Sequence, residues 1–491
     1  MSLAQRHEEV PRAEGDLRIS WDEEDGRIAR AWCTGTMYRG YEMILIGRYP
    51  QDALATTARL CGICSTSQVV AATHALEDAW RITPPPQAVR LRNLFLAAES
   101  TMSDARQAVL FFGPGLCHDS FAWHPLYEQI VAAFRPPVAG WLARQVHSAA
   151  KRVLGVITAF TLQWPHSVPF RPGGATCPVT MDEVRQARAA VDDFADWYAS
   201  VVLGGPLHEW EQVTTADQFT DWVDRRPDSV LSLYTRFATQ AAGLHKVGHG
   251  SSNLLSGGRY RDPMDPSRPV VPGGVMLAGT VEPLDHTWVR EHTRYSWLED
   301  TGPRHPWDTV VKPDRSRPAS YSWATAPRYG PDDAVMQLGP MSELLIAGDL
   351  LITNLAVRDG TSAYLRQLTR WVRPVHQIRL MRQWLHELAA NLGEPILDAP
   401  SDGDLDGNAQ GFGHTNATRG TLMHWVRLRQ GRIASYQVVT PTTWNASPRD
   451  GNHVPGHFEQ SLVGLPADEP GRGIRALVLG SHDPCLVCTT Q

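Results

Sequence analysis

The chain has 491 residues, 42% hydrophobic and 20% charged, a globular balance with ample length for a sizeable core. A net charge of −6 argues against a nucleic-acid-binding surface, and no run of 18 apolar residues marks a direct membrane span. Seven cysteines (33, 61, 64, 117, 177, 485 and 488) are few and odd in number, which fits a reducing compartment or metal ligation better than a disulfide framework.

The first twenty residues are mixed in charge and lack an apolar segment, which argues against a secretory signal on this chain and leaves export on a partner's signal open. Residues 17–33 alternate apolar and polar around Asp25-Gly26 and predict a β-hairpin. Glu14, just before it, reads by itself as a solvated carboxylate. Pro50-Gln51-Asp52 opens a helix expected to run to Leu60. Cys61 and Cys64 then fall at a break between helices, with Gly62 supplying the turn, and helical character resumes to Trp80. Pro84–Pro86 stop that helix. Residues 87–112 predict a long helix with apolar positions three and four apart. Further helices are expected at 138–163, 180–203 and 228–243, with a Pro/Gly-rich loop at His166–Gly174.

Between about 245 and 335 the chain turns rich in Gly, Pro, Asp and Trp, with short strand-like runs, and reads as a loop-rich α+β insertion. Helix returns over 341–395. A Gly/Asp-rich loop at 400–416 leads into a strand pair, Leu422–Pro441, turning at Arg429–Gly431. A short helix near 457–463 and a strand, Ile474–Gly480, bring the chain to its end. No repeat, linker or clean boundary interrupts this order. The expected fold is α+β and predominantly helical, a long-helix core with peripheral short strands in one interwoven domain, 1–491. Seventeen tryptophans fit a large core or a broad partner interface.

Two CxxC pairs stand at opposite ends of the chain, Cys61/Cys64 and Cys485/Cys488. Three chemistries suit them. Four thiolates make a structural zinc site, though such pairs normally lie within tens of residues. A CxxC is also a redox dithiol, but the thioredoxin-like βαβ context is missing. Thiolates are equally soft ligands for nickel, iron or another redox metal. Spacing alone leaves all three open. Arg39, Arg59, Arg328 and Arg449 read as structural ion-pair partners. His166, His424 and His482 read as hydrogen-bonded core or interface residues, and Cys33, Cys117 and Cys177 as plain buried thiols.

The segments Arg59-Leu60-Cys61-Gly62-Ile63-Cys64 and Asp483-Pro484-Cys485-Leu486-Val487-Cys488 resemble the two signature motifs of the nickel–iron hydrogenase large subunit, R-x-C-G-x-C and D-P-C-x-x-C. Arg12–Gly15 is similar to the family's R-x-E-G, and Arg39–Glu42 to its R-G-[FY]-E. His166–Gly174, Tyr321–Tyr329, Arg419-Gly420 with His424-Trp425, and Pro441–Asn445 match further landmarks in the same order.

The resemblance implies a large subunit that splits H2 heterolytically on a Ni-Fe(CO)(CN)2 centre. Cys61 and Cys485 would be terminal nickel ligands, and Cys64 and Cys488 would bridge nickel and iron. Glu14 and Cys485 would take the proton. Arg419 would lie over the open metal position with Asp483 as its charge partner, and Thr442 would hydrogen-bond an iron-bound cyanide. Glu42, the Val438 carbonyl and Gln491 would hold a Mg2+ (or Fe2+) near the C-terminus. An iron–sulfur small subunit would be an obligate partner, in a heterodimer or a dimer of heterodimers, and maturation proteins would insert the metals. The location would be cytoplasmic, or at a membrane through partners. An H2-sensing regulatory subunit is the alternative; a maturation scaffold and a zinc structural protein are more distant ones.

The sequence also departs from the family pattern. Gln68 stands where the family usually has His, as in the branch of cytoplasmic uptake and H2-sensing hydrogenases. Gln491 stands where the family ends in His, Thr418 where Pro often precedes the arginine, and Ser103, beside Asp104, where an acid often overlies the metals. Changes around metal ligands of this kind alter rate or oxygen tolerance without abolishing the site.

Overall fold

The computed structural model describes residues 6–309, 311–398 and 407–489. The alternation around Asp25-Gly26 folds as the expected hairpin, β2 (Leu17–Glu24) with β3 (Arg27–Gly35), and β1 (Arg6–Glu9) pairs along β2. Leu17, Ile19 and Trp21 are buried on one face, the period of a half-covered strand. Two short helices, α1 (Tyr41–Leu45) and α2 (Asp52–Thr57), lead to Cys61. Helix α3 (Ser65–Trp80) starts directly after Cys64 and closes at Arg81, whose φ is 57°.

Helix α4 (Pro86–Arg106) carries proline at its first position, where the missing N–H has no helical partner to lose. It widens into a π-helical turn over Gln107–Phe112. Next come α5 (Tyr127–Phe134) and α6 (Trp141–Thr161), then a two-residue strand pair, β4 (Phe170–Arg171) with β5 (Gly174–Ala175). Helix α7 (Met181–Trp197) is opened by a Thr180/Glu183 capping box. α8 (Leu207–Trp210), α9 (Ala216–Arg225) and α10 (Val230–Gln240) complete the first half.

Residues 254–329 hold β6 (Leu254–Ser256), β7 (Arg259–Arg261), β8 (Pro269–Val271), β9 (Gly274–Leu277), β10 (Thr280–Glu282), β11 (Val289–His292) and β12 (Ala326–Tyr329), in sheets of two or three strands. Then come α11 (Pro340–Ile346), α12 (Leu350–Asp359) and the long α13 (Ala363–Ala390), which packs back on α4 and α7. A further three-stranded sheet follows, β13 (Ala409–Ala417), β14 (Gly420–Arg429) and β15 (Arg432–Val439), all antiparallel. Short helices α14 (Pro441–Asn445), α15 (His457–Leu462), α16 (Arg472–Gly480) and α17 (Leu486–Thr489) end the described chain. No single helix is long and apolar enough to cross a membrane among the described residues.

Two expectations are corrected. Ile474–Gly480 is not a strand but lies within α16. A short apolar run carries no period that separates helix from strand, so its neighbours decide. Residues 409–416 are not loop but strand β13; residues 399–406 lie outside the described chain. Glycines 411 and 413 weaken the strand signal, and the tertiary contact explains them. A Cβ on Gly411 would sit 2.1 Å from the Ala75 carbonyl oxygen, and one on Gly413 2.2 Å from the Ala75 nitrogen. The strand therefore lies directly on the α3 backbone.

One large core is built on α4, α6, α7 and α13, and a second lies between α3 and the β13–β15 sheet. Helix α13 buries a polar stripe. Arg366, Arg370, Arg373 and Gln377, at helical spacing of four, three and four, are each at most 4% exposed. Arg370, Arg373 and Gln377 bond to Asp104 and Thr101 on α4.

Candidate metal centre

The fold brings the two ends of the chain together. The Sγ atoms of Cys485 and Cys488 are 3.1 Å apart, those of Cys64 and Cys488 3.4 Å, and those of Cys61 and Cys485 3.7 Å. All four side chains are buried, none more than 4% exposed. Cys61, Cys64 and Cys488 also form the one group with metal-ligand proximity found among the described residues.

Local structure sets each sulfur. Cys64 is the N-cap residue of α3, yet its side chain caps nothing. Glu99, reaching across from α4, accepts from the Thr66 and Ser67 N–H groups at 2.7 and 3.0 Å and from the Ser67 hydroxyl at 2.6 Å. The buried Glu99 carboxylate thus does the work of the cap and leaves the Cys64 thiol to the cluster. Burial pushes the Glu99 carboxyl up to about 7. The C-terminal pair is held by the chain's beginning. Glu14 N–H donates to the Pro484 carbonyl at 3.1 Å, and Leu486 N–H donates to the Glu14 carbonyl at 2.6 Å. Gly15 follows with φ of 86°, and a Cβ there would lie 3.0 Å from the Val487 nitrogen, which accounts for glycine after the glutamate. Arg39, expected in an ion pair, instead donates to the carbonyls of Leu60 and Val487, one beside each cysteine pair. Arg59 likewise bonds a carbonyl, that of Ala55, whereas Arg328 and Arg449 pair with Asp450 and Glu459.

Arg419, in the turn between β13 and β14, pairs with Asp483. Its Nε donates to the Asp483 carbonyl at 2.9 Å and its Nη2 to the carboxylate at 3.1 Å. Both side chains are buried, 6% and 3% exposed. Asp483 and the thiolates hold the Arg419 guanidinium protonated against burial. Glu14, half-buried, has its carboxyl raised, by burial first and then by Cys61. Cys61 is lowered, first by the Cys485 thiol and then by Cys488 and Cys64, while burial pushes Cys485 up. The Thr442 hydroxyl accepts from the Cys485 N–H at 3.2 Å, and Thr418 Oγ1 lies 3.5 Å from Arg419 Nη1. Ser103 lines a small cavity beside the Arg419–Asp483 pair, together with Ile63, Met102 and Gln107. Asp104 faces away from that cavity, toward Arg370 and Arg373. Gln68 Oε1 meets His424 Nε2 at 2.9 Å, so the amide and the imidazole satisfy each other in the core.

Glu42 and Val438 meet at a second point. The Val438 N–H donates to Glu42 Oε1 at 2.9 Å, and burial, with Glu291 adding to it, raises the Glu42 carboxyl well above the usual range. Gln491, expected with them, lies outside the described residues. His166 bonds the Ala58 carbonyl through Nδ1 at 2.8 Å. His482 is buried with neither ring nitrogen hydrogen-bonded among the described residues, unlike the hydrogen-bonded core histidine expected. Sequence reasoning missed the Glu99 cap and the Arg370–Asp104 contact, since both partners of each lie in segments that read as ordinary apolar helix.

The donor set fits a soft or borderline transition metal. Four buried sulfurs in mutual contact offer no oxygen to a hard cation, and Arg419 alone cannot balance four thiolates.

The model of the family described as nickel-dependent hydrogenase matches residues 39–112 and 143–491. The chain is 25% identical over 573 aligned positions to the Hydrogenase-2 large chain of Escherichia coli K12, covering 98% of this chain and 96% of that one. It is 27% identical to the uptake hydrogenase large subunit of Cupriavidus necator, covering 98% and 94%. Among solved structures, the Ni-Fe-Se hydrogenase of Desulfomicrobium baculatum superposes with a TM-score of 0.84 at 22% identity, over 99% of this chain and 100% of that one. The Ni-Fe-Se hydrogenase of D. vulgaris Hildenborough gives 0.82 at 23%, over 99% and 100%.

Proposed function

The chain belongs to the nickel-dependent hydrogenase family, and on that premise we propose that it is the catalytic large subunit of an H2-oxidising enzyme, converting H2 to two protons and two electrons. The observation that carries this reading is the convergence of four buried cysteine sulfurs from the two ends of the chain under one arginine. The relatives named for uptake favour turnover over the sensing alternative.

Cys61, Cys64, Cys485 and Cys488 would hold the nickel and iron of the centre, the iron carrying CO and cyanide. What such a centre supplies is a Lewis acid toward H2 and a sink for its electron pair. The chain's own groups do the rest. Arg419, kept cationic by Asp483, borders the cavity through which H2 would arrive and would present its positive charge to it. Cys485 Sγ takes the first proton. The Glu14 carboxyl receives it next: its backbone is locked beside Cys485, and its raised proton affinity suits a relay. Thr442 stands by the Cys485 backbone, where its hydroxyl would meet an iron-bound cyanide. Ser103 and Thr418 shape the cavity wall and the Arg419 turn.

Electrons need an exit. Cys33, Cys117 and Cys177 join no metal-binding group among the described residues, so an iron–sulfur small subunit is the proposed acceptor. Glu42, with Val438 beside it, is the proposed anchor of a Mg2+ or Fe2+ near the C-terminus. The three cysteines outside the cluster, Cys33, Cys117 and Cys177, are free thiols, which supports a cytoplasmic location of the branch suggested by Gln68. Nickel and iron analysis of the purified heterodimer, with H2-dependent dye reduction, tests the whole reading. Zinc without nickel would defeat it, and nickel with negligible dye reduction would return the sensing alternative.

A further inference from the structure

Arg419 comes from a turn, and a turn alone does not fix a guanidinium. A second buried layer fixes it. The Asp483 carboxylate that pairs with Arg419 also forms an ion pair with Arg370, whose Nη2 lies 3.2 Å from Oδ2. Arg370 Nη1 donates to Asp104 Oδ1 at 3.1 Å. Asp104 is gripped again by Arg373, from Nε at 2.8 Å and Nη2 at 2.7 Å. The same Arg373 Nη2 donates to the Thr418 carbonyl, one residue before Arg419, at 2.8 Å. Outward of this, Glu343 takes Arg259 at 2.8 Å and lies 3.5 Å from Arg373.

All seven charged residues are buried, none more than 5% exposed as a whole residue. Four guanidiniums (Arg259, Arg370, Arg373, Arg419) face three carboxylates (Asp104, Glu343, Asp483). Ion pairs at this depth are poor stabilisers, since desolvation offsets their attraction, so helix packing between α4 and α13 does not by itself require them. The cluster as a whole carries one positive charge in excess, and Arg370, shared between Asp104 and Asp483, is the guanidinium without an acid of its own.

We propose that Arg370 is a positioning residue for H2 activation: it locks the Asp483 carboxylate and through it the Arg419 guanidinium over the four sulfurs. The proposal rests on the H2-oxidising reading of the site. It separates positioning from pairing cleanly. Without Arg370, Asp104 keeps Arg373 and Asp483 keeps Arg419, so no acid is left alone; Arg373 still holds the Thr418 carbonyl, and what is lost is the α13 contact to the Asp483 carboxylate.

The test uses the purified metal-loaded heterodimer with Arg370→Gln and Arg370→Lys. For Arg370→Gln the expected result is wild-type nickel and iron content, kcat lower by about 10- to 100-fold and KM for H2 within about twofold, because misplacing an aligned group by about 1 Å costs on the order of 100-fold. A crystal structure of the variant should show the Asp483 carboxylate turned and Arg419 displaced. Arg370→Lys, which keeps the charge with a single-point donor, should recover part of kcat. An Arg370→Gln enzyme with wild-type kcat and an unmoved Arg419 overturns the proposal. So does a folded variant that binds no nickel, or failure of both variants to fold, either of which makes Arg370 a structural residue. A wild-type heterodimer lacking nickel or H2 turnover would instead overturn the underlying function, and this inference with it.

Discussion

Removing Arg39 should loosen the C-terminal tail from the rest of the metal site. Its guanidinium donates to the Leu60 carbonyl before the first cysteine pair and to the Val487 carbonyl inside the second, and it lies 4.7 Å over the Tyr41 ring. A hydrogen bond from a charged donor contributes about 1.5–3 kcal/mol. Two such bonds, discounted because the side chain is only partly buried, come to about 3 kcal/mol. At 1.4 kcal/mol per decade that is roughly a 100-fold shift in the balance between a docked and an undocked tail. The loss is local, because Glu14 still pairs with Pro484 and Leu486, so global unfolding should change less than opening of the tail. Hydrogen exchange of the C-terminal peptide reads that opening directly. In Arg39→Met, protection of the Leu486 N–H, which bonds the Glu14 carbonyl at 2.6 Å, should fall by about 100-fold, and nickel should be lost faster to a chelator. Arg39→Lys should fall between, since one ammonium cannot span both carbonyls with the same fork geometry. Unchanged protection and unchanged nickel retention in Arg39→Met would refute the clamp.

Three further outcomes are expected. Glu14→Gln should leave the metals bound but abolish exchange between H2 and solvent deuterons, and full exchange activity would remove Glu14 from the proton route. Gly413→Ala should lower the urea midpoint by the equivalent of about 1–3 kcal/mol, because its Cβ would enter the α3 backbone 2.2 Å from the Ala75 nitrogen; an unshifted midpoint would show that β13 has room to move. Glu459 is fully buried, and burial pushes its carboxyl up to about 7 despite Arg449. The folded state therefore holds this proton more tightly than the unfolded chain, so its contribution is complete below pH 4.5 and is lost as pH rises through 7. Urea unfolding across that window should show stability falling by up to about 3 kcal/mol, and the slope should flatten in Glu459→Gln; a slope as steep in the variant would place the dependence elsewhere.

The elements that sequence alone determined are those whose signals are local. The β2–β3 hairpin, the break at Cys61–Cys64, and helices α3, α4, α6 and α13 follow from turn residues, prolines and apolar spacing within one segment. The two cysteine pairs were legible as metal ligands because thiolate chemistry is written in residue type. Spacing did not decide which metal they suit; the family landmarks did. Tertiary structure decided whatever depends on contacts between distant segments. Ile474–Gly480 became helix, and the glycines of β13 became a close approach to α3, because neighbours rather than local period settle such runs. The sequence marks 341–395 as helix and says nothing about the partners of its arginines. Folded against α4, its arginines are buried, and Arg370 links Asp104 to Asp483 beside the four sulfurs. Charge in a sequence carries no label for the partner that makes burial tolerable, and only the assembled core supplies that partner.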